Sequence, residues 1–511
     1  MYIWFIYTVQ LLIQIFRTSM YMDGKDTELA QTEEFVAAQT SYYGVSADSP
    51  SAVLPPELLS IIFMFAKQDK RVPHKVPFEV TLSHVCRYWR AIAFITPTLW
   101  TRIDVYSRHS AESFHHYLER SSQKPLDVFI DIFRADKRTP NTANPLHAYE
   151  SIVDGLLLHL HRIRHFSLLC YHQTTAVYWQ SKFKQQYAPI LMSLSVEYGT
   201  IVGSQTPVFG NLATIFEEGL PQLTYWETDT PNILPPPQQL RHLSTLYLHG
   251  LDPKLSVDHD AFIDTFSSMP ALVNLSLRSS VGYASWPPSP HSRFALNNLK
   301  SLCLIEGGSL ATRMLLAMSA PNLETLRLEC SFDNFQTHLF GTAQMNVNNR
   351  PKFPRLKYLT LFMNDFTTSS EFAKVFPTIT HLHYFYPNFR EATALIQTLL
   401  PQRWSSLKTL VFSAFREKDA VHLNAALLRI LGQRLHNNPL KTILIDKDHM
   451  RWLTQVVPLD GAKLSRLVKV DLLTANNYDE YWWNVFESGQ RRLWRVDVGT
   501  MISLSVWYFW T

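Results

Sequence analysis

Along more than half of this chain, apolar residues recur in one frame, L-x-x-L-x-x-L-x-L, and that frame dictates most of what the chain can fold into. It is cleanest at Leu240, Leu243, Leu246 and Leu248, and returns at Met269, Leu272, Leu275 and Leu277 and at Leu296, Leu299, Leu302 and Leu304. Further copies place their strand pairs at Leu326 and Leu328, Leu359 and Leu361, Leu382 and Tyr384, and Leu410 and Phe412. Earlier copies end at Phe166-x-Leu168 and Leu194-x-Val196, and worn ones at Ile443-x-Ile445, Val470-x-Leu472 and Val496-x-Val498. From Leu246 to Val470 the strand starts lie 23–33 residues apart, about 28 on average. The closing L-x-L has period 2 and reads as a short strand with one buried face. Helical spacing fills several gaps, at 261–269, 310–318, 392–400 and 423–435. A strand plus a helix of this size cannot bury its apolar side alone, so neighbouring units must supply its core.

The period and the strand motif resemble the leucine-rich repeat. The resemblance implies an α/β fold in which residues 161–511 form a solenoid of strand plus helix per repeat. One departure is plain: the motif wants Asn or Cys three residues after the second strand leucine, and only Asn364 supplies it, against Ser280, Gly307, Ser331 and Ala475 elsewhere. An irregular array is therefore expected, with turn hydrogen bonds met by other groups. In x-L-x-L-x the x positions would line the concave face. They include Tyr247, Arg278, Arg327, Tyr358, Phe362, His381, His383 and Phe385, aromatics with scattered cations, the types favoured in binding hot spots. The same residues also fit an ordinary sheet face with cross-strand aromatic packing. No basic stripe is legible along the chain, so the expected ligand is a protein substrate and not nucleic acid.

The second informative stretch lies at 54–100. Leu54-Pro-Pro-Glu-Leu-Leu-Ser-Ile-Ile-Phe63 is followed by Leu82-Ser-His-Val-Cys-Arg-Tyr-Trp-Arg-Ala-Ile-Ala93 and Thr96-Pro-Thr-Leu-Trp100. Leu58, Ile61, Ile62 and Phe65 fall on one helical face, and Leu82, Val85, Cys86, Trp89, Ile92 and Ala93 on another. Pro55 and Pro56 suit a helix start, where no N–H partner is lost. Two such helices make a poor independent core; their stripes either face each other or finish their burial on a partner.

The order of these motifs resembles the F-box, the helical module that docks on the Skp-family adaptor of cullin-type (SCF) ubiquitin ligases. The downstream segment, with Tyr117-Leu-Glu-Arg-Ser before Pro125-Leu, resembles the stretch after the box in large fungal F-box families. Carried over, the adaptor-facing set is Leu54, Pro55, Leu58, Ile62, Val85, Cys86, Trp89 and Trp100, some of which must pack internally. The connection Lys67-Gln-Asp-Lys-Arg-Val-Pro-His-Lys-Val-Pro77 is longer and more basic than usual: a solvated loop, or a modifier of adaptor affinity. The resemblance implies a substrate-recognition subunit, tethered through the adaptor to the cullin and holding an unknown protein target for ubiquitination and degradation. The alternative is a repeat scaffold without a ligase role. The chain divides at 1–50 (apolar start and polar lead-in), 51–103 (box), 104–160 (joining region, with a helix before Pro125, a strand at 126–132 and a helix at 146–160) and 161–511 (repeats).

Bulk properties exclude much else. The 511 residues are 46% hydrophobic and only 18% charged, with a net charge of +4, which argues against nucleic acid. Cys86, Cys170, Cys303 and Cys330 fit no zinc spacing and suggest a reducing compartment, cytoplasmic or nuclear. With 16 glycines and no G-x-S-x-G, phosphate loop or H-E-x-x-H, no enzyme activity, cofactor or metal is expected. His159, His161 and His165 read as structural histidines, and Asp258-His259-Asp260 as a helix start. Residues 1–16 are apolar but shorter than the roughly 20 needed to span a bilayer. They read as a weak membrane anchor, a docking segment or a misassigned start. The apolar stretch 502–511 reads as a terminal strand or a misassigned end.

Overall fold

The computed structural model describes residues 54–68, 77–106, 111–132, 147–170, 173–198, 215–228, 237–251, 264–279, 294–306, 310–330, 351–363, 373, 375–385, 404–413, 417–434 and 439–473. The apolar start, the lead-in, residues 69–76 of the connection Lys67–Pro77, the helix at 392–400, Asp258-His259-Asp260, Asn364 and the apolar end lie outside them. The protein is a mixed α/β chain with a large parallel sheet. It divides into two compact units, Met1–His165 and Phe166–Thr511, so the box and the joining region fall in one unit.

The first unit opens with α1 (Pro56–Gln68), α2 (Phe78–Val85), α3 (Arg87–Phe94) and a 3-10 turn at Pro97–Trp100. The second apolar stripe is thus two helices, not one. Cys86 adopts an extended backbone (φ −159°, ψ 169°), and its sulfur accepts the Trp89 N–H at 3.4 Å, starting α3 afresh. β1 (Arg102–Val105) then pairs in parallel with β2 (Leu126–Asp131), across α4 (Ala111–Arg120). In β2 the burial alternates, as its period-2 sequence requires. α5 (His147–His159) buries Tyr149, Ile152, Val153 and Leu156. Gly155 lets it approach α4: a Cβ there would meet Phe114 Cε1 at 2.9 Å.

β3 (Ile163–Cys170) carries the chain into the second unit, where α6 (Gln173–Phe183) follows. Then come β4 (Ser193–Tyr198), β5 (Tyr225–Thr228), β6 (Thr245–Leu251), β7 (Asn274–Ser279), β8 (Phe294–Ala295) and β9 (Ser301–Glu306). α7 (Leu310–Ala317), β10 (Met318–Ser319), β11 (Thr325–Cys330), β12 (Tyr358–Met363), β13 (His381–Phe385) and β14 (Thr409–Ser413) continue the series. α8 (Glu417–Arg434), β15 (Thr442–Ile445), α9 (Lys447–Gln455), α10 (Pro458–Leu467) and β16 (Lys469–Leu472) close it. Strands β4–β7, β9 and β11–β16 pair in parallel, each with the next. β8 and β10 form a separate parallel pair.

The repeat frame has a local explanation. Its L-x-x-L half is a turn: the fourth residue's N–H bonds the first residue's carbonyl, as in Leu243 to Leu240 (3.0 Å), Leu299 to Leu296 (3.2 Å), Leu356 to Phe353 (3.2 Å) and Leu407 to Trp404 (3.0 Å). Its L-x-L half is the strand. Register stacks the first strand leucine of every repeat: Leu246, Leu275, Leu302, Leu326, Leu359, Leu382 and Leu410 are all fully buried. Each such side chain removed from water contributes about 2 kcal/mol. Side chains of the turns ahead of the strands add bonds between repeats: Asn298 Nδ2 donates to Pro270 O (2.8 Å), Asn322 Nδ2 to Asn297 O (2.7 Å) and Thr378 Oγ1 to Leu356 O (2.7 Å), while Asn364 and the corresponding Ser280, Gly307, Ser331 and Ala475 after the strands lie outside the described residues.

Candidate functional site

The helices of the first unit are held by polar struts. Tyr88 Oη donates to Leu54 O at 2.9 Å, pinning the start of α1 to α3. Arg90 Nε donates to Ser83 O at 2.6 Å, tying α3 to α2. Lys67, near the end of α1, lies 3.1 Å from Glu79 in the first turn of α2 and donates to Leu99 O at 2.5 Å. Tyr117 Oη, from α4, donates to Glu79 at 2.5 Å. Burial, then the Glu79 charge, push the Tyr117 hydroxyl far above its ordinary pKa, so it stays a donor.

These struts divide the box residues. Trp100 is 1% exposed: its Nε1 donates to Ala93 O at 2.7 Å, Tyr117 meets it edge-on at 5.1 Å, and the Arg120 guanidinium lies 4.5 Å from its ring centre. Ile62, 6% exposed, packs inside with Leu59 and Phe63. Ile62 and Trp100 are therefore interior residues. Leu54, Cys86 and Trp89 are half-buried, Trp89 lying against Phe63 with ring centres 4.9 Å apart. Pro55 is exposed. Leu58 is 37% exposed and Val85 49%, and Phe65, absent from the carried-over set, is 56% exposed. Phe94 and Ile95 are also exposed. The inner face of α1 is thus Leu59, Ile62 and Phe63, and the side holding Leu58 and Phe65 is outward. Sequence reasoning missed Phe65 as a surface residue because the helix is apolar nearly all round.

Behind α4 and α5 lies a groove of about 640 Å³ lined by His115, Leu118, Asp154, Gly155, Leu158 and Arg162, among others. His115 Nε2 and Ser151 Oγ lie 2.6 Å apart beside it. Arg162 is 3% exposed and donates to Leu118 O, Ser121 Oγ, Lys124 O and, through Nε, to His159 Nδ1. Burial lowers the pKa of His159 and His165, and His165 lies 3.9 Å from Asp127. Among the described residues no group of three or more His, Cys, Asp or Glu is placed to hold a metal.

In the second unit the x-position face departs from an open aromatic strip. Tyr247 is 5% exposed and His383 fully buried, and both belong to the packing of the sheet. Tyr225, Tyr247, Cys303, Val411 and Leu444 form one apolar cluster, with Tyr358 partly buried against it. Burial, then the nearby Arg327 charge, press the His383 pKa down to about 3. Arg327 pairs with Glu329 on its own strand. Among the described side chains of this set Arg278 is the exposed one. Phe362 and Phe385 lie on β12 and β13, but their side chains fall outside the described residues.

Residues 51–106 match the family model described as F-box-like. That match covers α1–α3, the 3-10 turn and β1. The chain thus carries an F-box-like domain near its N-terminus. No curated protein matches the chain. Among the described residues no helix is long and apolar enough to cross a membrane.

Proposed function

We propose that this protein is the substrate-recognition subunit of an SCF-type ubiquitin ligase, with no chemistry of its own. The F-box-like domain docks on a Skp-family adaptor and through it on a cullin. The strand-and-helix units after it act as an irregular leucine-rich-repeat solenoid of the kind that accompanies fungal F-boxes, and hold a protein target in the cytosol or nucleus. The observation that carries the reading is the match at 51–106 combined with the outward Leu58, Phe65 and Val85 on its helices. Isolated exposed apolar residues are common, but several together on a short helical module offer apolar area for a partner to cover. The gain for the reaction is proximity: a tethered target lysine behaves as though present at roughly millimolar concentration.

The test is co-purification with the adaptor. Leu58→Asp with Val85→Asp removes two outward anchors and leaves the buried Leu59, Ile62 and Phe63 in place. The variant is expected to lose the adaptor while still unfolding cooperatively, with a melting temperature lowered by only a few degrees. Undiminished co-purification refutes the proposed docking face, and failure of the wild type to bind any Skp-family adaptor leaves the scaffold reading in its place.

A further inference from the structure

Register creates a surface that no linear reading reveals. In each repeat one residue joins the L-x-x-L turn to its strand, and these joining residues stack. Glu324 N bonds Lys300 O (2.8 Å), Lys357 N bonds Glu324 O (2.9 Å), Thr380 N bonds Lys357 O (2.9 Å), Lys408 N bonds Thr380 O (2.8 Å) and Lys441 N bonds Lys408 O (2.8 Å). One residue per strand, at about 4.8 Å per step, gives a column roughly 24 Å long. Lys300, Lys357, Lys408 and Lys441 in it are all exposed, as is Arg355 in the adjoining turn. Lys357 lies 3.7 Å from Glu324, a half-exposed pair that solvent weakens. No carboxylate among the described residues pairs with Lys300, Lys408 or Lys441. Five cations against Glu324 leave a net +4, as much as the entire chain carries. The strand-start neighbours Thr325, Tyr358, Thr409 and Thr442 add no charge, and His381 is neutral at pH 7, its pKa held near 4 by burial and by Lys408.

We propose that this lysine column binds an extended acidic segment of a partner protein. An extended chain advances about 3.4 Å per residue, so about seven residues span the column, with alternate carboxylates facing it. A row one residue wide offers few phosphate contacts, and nucleic-acid affinity scales with their number, so a peptide fits better. As the place where a ubiquitination target is held, the column rests on the function proposed above; as a binding surface it does not.

The probe is a fluorescein-labelled decaglutamate peptide, titrated with the full chain at low ionic strength and followed by polarisation. Lys357→Glu with Lys408→Glu is compared with Lys463→Glu and Arg466→Glu, the same charge change on the exposed side of α10. Saturable binding is expected, weakened about tenfold or more by the first pair and less than about twofold by the second. Equal losses in both pairs, or no saturable binding by the wild type, overturn the proposal. So does tighter binding of single-stranded oligo(dT) with the same dependence on Lys357 and Lys408, which reassigns the column to nucleic acid. Adaptor co-purification is scored on the same variants: decaglutamate binding by a chain that captures no adaptor sinks the ligase reading and leaves the column standing.

Discussion

Replacing Arg162 by Ala tests how the first unit is held together. Its guanidinium is almost wholly buried and donates to Leu118 O at 2.8 Å, Ser121 Oγ at 2.9 Å and Lys124 O at 3.1 Å. Leu118 lies in the last turn of α4, where carbonyls have no intrahelical donor. The next residues turn sharply, with Ser122 at φ 51°, in the left-handed region unfavourable for a side chain. Arg162 thus caps a helix and clamps the strained turn after it. Hydrogen bonds from a charged donor contribute about 1.5–3 kcal/mol each, so three set an upper bound near 9 kcal/mol. Two effects lower that figure: Ser121 Oγ still donates to Leu118 O at 3.0 Å, and the groove beside Arg162 admits water to the orphaned acceptors. About 3 kcal/mol remains, or roughly a hundredfold faster local opening. Hydrogen exchange on the full chain, followed by mass spectrometry over residues 111–132, reads this directly. Arg164→Ala is the control: Arg164 also bonds Asp127, at 2.9 Å, but is largely exposed, so its loss should cost under about 1 kcal/mol. Equal protection in the two variants refutes the argument, and so does full protection in Arg162→Met, which restores packing without donors.

Two further substitutions probe packing and titration. Gly155→Ala should lower the melting temperature: the gain of about 1 kcal/mol in helix propensity is outweighed by a Cβ 2.9 Å from the buried Phe114 ring, and a rise in Tm would show that α4 yields freely. His383, with its folded pKa near 3, is neutral in both states above its ordinary value near 6.5; as pH falls from there toward about 3 the unfolded chain gains a proton that the folded chain excludes, and stability is lost. His381 and His449, pressed to about 4, act in the same direction. His383→Leu should therefore flatten the fall in urea midpoint between about pH 7 and pH 5, and an unchanged slope would place the acid sensitivity elsewhere.

The legible part of the fold is the part its periodicities encode. The strand leucines were legible because period 2 and a recurring frame leave one register in which Leu302, Leu326 and Leu359 all point to one core. The face of α1 was not. Leu58, Leu59, Ile61, Ile62, Phe63 and Phe65 are apolar all round the helix, so the choice of Leu59, Ile62 and Phe63 as the inner side is made by neighbours such as Trp89. The break at Cys86 carried no glycine or proline to announce it. Tyr247 and His383 were expected at a surface because alternation tells which residues share a face, and not whether that face is covered. The lysine column escaped notice for the opposite reason: its members lie 57, 51 and 33 residues apart, and only the hydrogen-bonded stacking of repeats makes them neighbours.

The long connection after α1 is the one departure of the F-box-like domain from the pattern it resembles, and the contacts at its two ends give a reason to expect that it leaves the proposed docking undisturbed. Its two ends are closed by the chain itself: Lys67 reaches Glu79 and Leu99 O, and Tyr117 holds Glu79 from the other side. With Glu79 4% exposed, the pair is valuable less for net stability than for fixing one arrangement, because an unmatched charge there would be costly. Once the ends are fixed, extra length between them is cheap, about 0.6 kcal/mol for each doubling of a flexible loop. The outward Leu58 and Val85 sit on helices that these contacts hold together. Shortening the connection between Gln68 and Pro77 should therefore leave adaptor affinity unchanged, whereas Glu79→Leu, which leaves Tyr117 without its acceptor and Lys67 without its counter-charge, should weaken it with every outward residue intact. If the shortened loop instead loses the adaptor, the basic insertion is itself part of the docking surface.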